Sequence, residues 1–222
     1  MNDAREPAAR PMSDAEVVRV LLDRAGTTFA QEAGIALEDE PAPLWQLLVL
    51  SLLLSAPIRS TAAVATAREL FAAGCTTPRR TRDLPRRTLV AALGRGGYRR
   101  YDERTATRLA ELSRAVLDEH AGDLRRMHER CEDVPALAAA LQEFTGIGPT
   151  GAGVFLREVQ STWPDVAPYV DGLAARGAER LGLPASGPEL ARLVRREDLA
   201  RLVAACVRAA RDPRLLADVT RS

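Results

Sequence analysis

The chain contains no lysine: all 31 of its basic residues are arginine. No side chain can therefore form an imine with a carbonyl, and only the N-terminal amine could. An arginine bias of this kind also accompanies a GC-rich genome. Aromatics are only 4% of the 222 residues, so Leu, Val and Ala have to fill the core. His120 and His128 are the only histidines. No second His or Cys stands at ligand spacing from either, so both are expected on the surface and not on a metal. Cys75, Cys131 and Cys206 are scattered, which reads as buried free thiols. The longest apolar run, Leu47 to Ala56, holds two serines and is too short to cross a bilayer. Met1 to Pro7 lacks the apolar segment of a cleavable signal peptide. A cytoplasmic protein with no membrane partner is expected.

A chain of this length can bury about 70% of its unfolded surface. Its net charge of +1 does not suggest a polyanion partner, but the distribution does. Between Arg79 and Arg100 lie eight arginines against one acid, Asp83. Apolar residues recur at helical spacing nearly throughout, and no segment alternates convincingly. The expected class is all-α. Ser13 caps a helix carrying Val17, Val20 and Leu21. Pro43 to Ala56 is apolar on every side and should be the most buried helix. Further helices are expected over 60–73, 85–93, 104–119, 122–131, 187–194 and 197–210, with a short last turn after Asp212-Pro213.

The chain turns on Phe144-Thr145-Gly146-Ile147-Gly148-Pro149-Thr150-Gly151-Ala152. Val134, Leu137, Ala138, Leu141 and Phe144 mark one helix before it, and Ala152, Phe155, Leu156 and Val159 mark another after it. Two short helices joined by Gly-x-Gly-x-x-Gly make a hairpin. Its glycines permit positive φ and close backbone approach. The amides of Gly148, Thr150 and Gly151 open the second helix, where an anion can sit against free N–H groups. Downstream, Pro168-Tyr169-Val170-Asp171-Gly172 leads into a helix with Arg176, Arg180 and Leu181-Gly182.

Together these motifs resemble the helix-hairpin-helix DNA glycosylases of the endonuclease III superfamily, over roughly residues 42–185. That family's pattern is L-P-G-V-G-x-K-T-A, then V-D-T-H-V-x-R-x-x-x-R-L-G. The glycines, the Val-Asp pair, both arginines and Leu-Gly fall in register. The resemblance implies a two-domain fold with a DNA cleft between its parts. A helical bundle over 41–133 would form one domain. Residues 13–40 and 134–222 would form the other, discontinuous in sequence, and 1–12 a disordered tail.

The resemblance makes Asp171 the carboxylate that supports glycosidic-bond cleavage; an aspartate opening a helix is also a plain N-cap. Bifunctional relatives carry a lysine where this chain has Thr150, so base removal by water without efficient lyase activity is expected. Gly146, Gly148, Thr150 and Gly151 would meet the backbone of double-stranded DNA. Arg59 stands where relatives have Gln-x-Thr, and is read either as a base or phosphate contact or as a plain loop residue. Gly97 occupies the usual wedge position, leaving Tyr98 or Tyr101 to fill it beside Arg99 and Arg100; the alternative is a surface loop anchored by one buried Tyr. With three cysteines, and only Cys206 after Asp171, the relatives' four-cysteine iron–sulfur cluster cannot form. The resemblance allows a monovalent cation at the hairpin. It implies a monomer on the bacterial nucleoid. A DNA-binding protein of this type that has lost its chemistry is the alternative.

Overall fold

Helix starts in this chain are written in its capping residues. Ser13 accepts the Glu16 amide while Glu16 accepts the Ser13 amide, and α1 (Asp14–Ala25) follows. Thr28 and Gln31 repeat the device for a one-turn α2 (Phe29–Glu32). The computed structural model describes residues 12–221, so all but Met12 of the tail expected over 1–12 lies outside the described residues. Among the described residues every regular element is helical. None of these helices is long and apolar enough to cross a membrane.

Next come α3 (Pro41–Leu54), α4 (Ser60–Ala72), α5 (Pro78–Asp83), α6 (Arg86–Arg95) and α7 (Asp102–His120). A single turn, α8 (Arg125–His128), leads to α9 (Val134–Glu143) and α10 (Pro149–Val159). The chain ends through α11 (Gly172–Arg180), α12 (Gly187–Ala191), α13 (Leu199–Arg211) and α14 (Pro213–Thr220). Helix α3 packs on α4 and α10, and α7 receives α5 and α6. The first helix packs on α13 and α14, near the other end of the chain.

Helix α3 is buried on all faces, as its composition requires, and its Ser51 hydroxyl is satisfied by the Leu47 carbonyl at 2.8 Å. Helix α10 is enclosed as completely, from Gly151 to Val159. Packing α10 against α3, α9 and α13 leaves it no solvent face, so Arg157 and Glu158 are buried with the apolar residues.

Several expectations need correction. The helix expected over 122–131 is only the turn α8, because Ala121 and Gly122 take positive φ and end α7 in a left-handed cap. The helix expected over 187–194 stops at Ala191. Asp212 accepts the amides of Arg214 and Leu215 and starts the eight-residue α14 instead of a last turn. Both histidines are half-buried instead of freely exposed. The His128 ring stacks 4.0 Å from that of Trp163 and its Nε2 lies 2.6 Å from Asp165 Oδ2. The His120 side chain is 11% exposed and meets Phe144 edge-on.

Candidate active site

The hairpin forms as its glycines predict. Gly146 has φ +91°, reserved for glycine, and an added Cβ would stand 2.9 Å from Leu52 of α3. Gly148 is the N-cap of α10 and Pro149 its first residue. Among the described residues the amides of Gly148, Thr150 and Gly151 find no backbone acceptor. Thr150 is exposed, while Gly151 is buried against Ile147 and the Ser51 carbonyl.

The segment between α10 and α11 carries Asp171. Buried Gln160 clamps it: its Nε2 donates to the Tyr169 carbonyl and its Oε1 accepts the Tyr169 amide, both at 3.0 Å. Two residues on, Asp171 caps α11. Its Oδ1 accepts the amides of Leu173 (2.8 Å) and Ala174 (3.0 Å). Its Oδ2 accepts Nη1 of Arg157 at 2.6 Å. The Arg157 side chain is 5% exposed and that of Asp171 14%, so the carboxylate keeps an edge toward solvent. Burial, and then the Asp171 charge, push the neighbouring Tyr169 hydroxyl above the ordinary tyrosine range.

Arg157 stands on a buried platform. Its guanidinium lies 5.3 Å from the Phe29 ring centroid, and that of Arg208 lies 4.1 Å from the same ring. Arg208 pairs with Glu32 at 2.9 Å. Glu158 Oε2 accepts the Ala30 amide at 2.9 Å, which ties the start of α2 to α10. Burial pushes the Glu158 carboxyl above its ordinary range against the opposing pull of Arg157 and the backbone donors.

These groups border one cleft of about 1560 Å³. Thr150, Arg59 and Asp171 all line it, with Phe29, Glu32, Arg157, Tyr169 and Arg208. Seven of the lining residues are arginines, against three acids: Glu32, Asp171 and Asp212. A carboxylate fixed by three donors, in a cleft of excess positive charge, suits stabilising a cation formed on an anionic ligand.

The expected DNA-contact loop is not part of this cleft. Tyr98 is 4% exposed, with its ring edge-on to Tyr101 at 6.1 Å, so it anchors the loop from inside and has no free face for a base. Arg99 and Arg100 are exposed, but neither lines the cleft. Arg157, Gln160 and the C-terminal arginines were missed from sequence. A charged pair inside an otherwise apolar helical stretch, Leu156-Arg157-Glu158-Val159, was the available signal. Among the described residues no group of three or more His, Cys, Asp or Glu side chains is placed to hold a metal ion.

Fold and site thus define an all-helical protein with a helix-hairpin-helix beside a carboxylate-bearing, arginine-lined cleft. No protein-family model matches the chain, and no curated protein matches it. Two solved structures are similar in overall course. One is a trapped endonuclease III–DNA covalent intermediate, an estranged-adenine complex: 19% identity, 88% of this chain and 85% of that one covered, TM-score 0.47. The other is a non-covalent endonuclease III–DNA complex: 18% identity, 86% and 85% covered, TM-score 0.47. These values are too low for the likeness to carry a residue's role across.

Proposed function

We propose that this chain is a monofunctional DNA glycosylase of base excision repair. One observation carries the reading: the Asp171 carboxylate, fixed by two amides and Arg157, borders the same arginine-lined cleft as the first turn of the hairpin. A glycosylase draws its nucleotide out of the duplex into such a space. The C1′–N bond then breaks, the electron pair leaves with the base, and positive charge develops on the sugar. Asp171 balances that charge and orients the water that adds at C1′, and the proton the water gives up ends on the departed base. Thr150 has no amine, and the chain has no lysine, so no side chain can form an imine at C1′ and open the way to strand cleavage. With three cysteines the protein works without a four-cysteine cluster. It acts as a monomer on double-stranded DNA in the cytoplasm.

One observation favours a second reading, a DNA-binding protein without chemistry. Both Asp171 oxygens are already bonded, and its capping bonds alone would justify the residue. Base release from a panel of duplexes with single lesions decides between the two. Asn still accepts the capping amides but sets its Nδ2 donor against Arg157, so release by Asp171→Asn is compared at a temperature where its melt shows it folded. The glycosylase reading expects release from one lesion, nicking only after alkali, no borohydride-trapped adduct, and loss of release in the variant. Nicking without alkali overturns the monofunctional part. Salt-sensitive binding with no release from any duplex establishes the second reading.

A further inference from the structure

The hairpin is not the only phosphate-suited group on the cleft. Arg176 of α11, Arg211 at the end of α13 and Arg214 in the first turn of α14 also line it. All three are exposed. Among the described residues their side chains make neither an ion pair nor a hydrogen bond. The arginines of the cleft floor differ: Arg157 is bound to Asp171 and Arg208 to Glu32. Asp212, between Arg211 and Arg214, directs Oδ1 to the amides of Arg214 and Leu215. Three unpaired arginines from three helices therefore line one cleft, in a chain whose net charge is only +1. Each guanidinium fork matches two oxygens of a phosphodiester, a fit a lysine ammonium lacks.

We propose that Arg176, Arg211 and Arg214 form a phosphate clamp, a second grip on the DNA backbone separate from the hairpin. The clamp rests on the DNA reading above. With the hairpin, it holds the strand at two places around the nucleotide offered to Asp171. Its contacts are to phosphates and not to bases, so they add affinity without sequence preference.

The test is fluorescence anisotropy of the full chain with a labelled duplex carrying one abasic-site analogue, followed from about 50 to 300 mM KCl, where each guanidinium–phosphate contact adds about 0.9 to the slope of log K against log salt. The triple variant Arg176→Ala/Arg211→Ala/Arg214→Ala should melt as wild type does and lose roughly 2–3 from that slope. The corresponding triple lysine variant should recover the slope but not the full affinity. A control triple, Arg19→Ala/Arg104→Ala/Arg114→Ala, removes exposed arginines that do not line the cleft. It should leave the slope nearly unchanged. A wild-type slope in the cleft variant overturns the clamp and leaves the DNA reading standing. An equal loss in the control reduces the effect to overall charge and overturns the clamp. Wild type that binds no duplex overturns the clamp and the DNA reading together.

Discussion

Asp171 and Arg157 depend on each other. The aspartate satisfies two amides of α11 and sets its charge 2.6 Å from a 5% exposed guanidinium, whose other acid, Glu158, stands 3.9 Å from its Nε. Asp171→Ala removes the cap, worth about 1 kcal/mol, and leaves Arg157 buried without that partner, which raises the loss to about 3–5 kcal/mol. Urea unfolding of the variant measures it. A loss under about 1 kcal/mol would mean that Arg157 turns to another acceptor. Asp171 was legible from its place in the Val-Asp motif. Arg157 was not, because a charged pair in a helix is ordinarily its solvent face. The partners that make burial tolerable, Asp171 and the Ala30 amide, come from remote segments that local spacing does not register. At Tyr98 the structure matches the alternative reading, a loop anchored by one buried Tyr. Flanking glycines and arginines look exposed, while the ring itself turns inward.

At the level of elements, α11 and α13 meet where Gly177 faces the Cys206 carbonyl, and an added Cβ would stand 1.9 Å from that oxygen. Gly177→Ala therefore forces the two helices apart, at a cost of at least about 1–3 kcal/mol. Gly94 lies inside α6 with nothing within 4 Å of an added Cβ. There alanine should stabilise by about 0.5–1 kcal/mol through helix propensity alone. Thermal melts of the two variants should move in opposite directions; a shared direction would discredit the packing account. Long helices were legible because α3, α4, α7, α10 and α13 span enough turns to display their period. The one-turn α2 and α8 have no period to display. A cap creates the first, and the left-handed end of α7 cuts the second short. At α14, Asp212-Pro213 reads as a stop followed by a short turn. It is equally a start, since proline fits the first helical position and aspartate the cap before it.

Across the whole molecule, Glu158 links stability to pH. Burial raises its folded value above the ordinary 4.5, so the native state holds the proton more tightly than the unfolded chain does. The penalty is absent below 4.5 and grows as pH rises through the window between the ordinary and the raised value. Glu158→Gln keeps an oxygen for the Ala30 amide and does not titrate. Its melting temperature should therefore gain on wild type as pH rises above 4.5, the gap widening through the window between the ordinary and the raised value. A constant gap would mean that Glu158 does not change charge in that range. Nothing in the apolar stripe of α1 names the helices it packs on; only the family resemblance joins 13–40 to 134–222. The packing itself has a consequence in time. Val17, Val18 and Leu21 of α1 are covered by α13 and α14, near the other end of the chain. With ribosomes adding about 5–20 residues per second, the covering helices emerge roughly 10–40 s after α1. Through that interval the nascent chain carries an uncovered sticky stripe, which a holding chaperone would find before the native partner does.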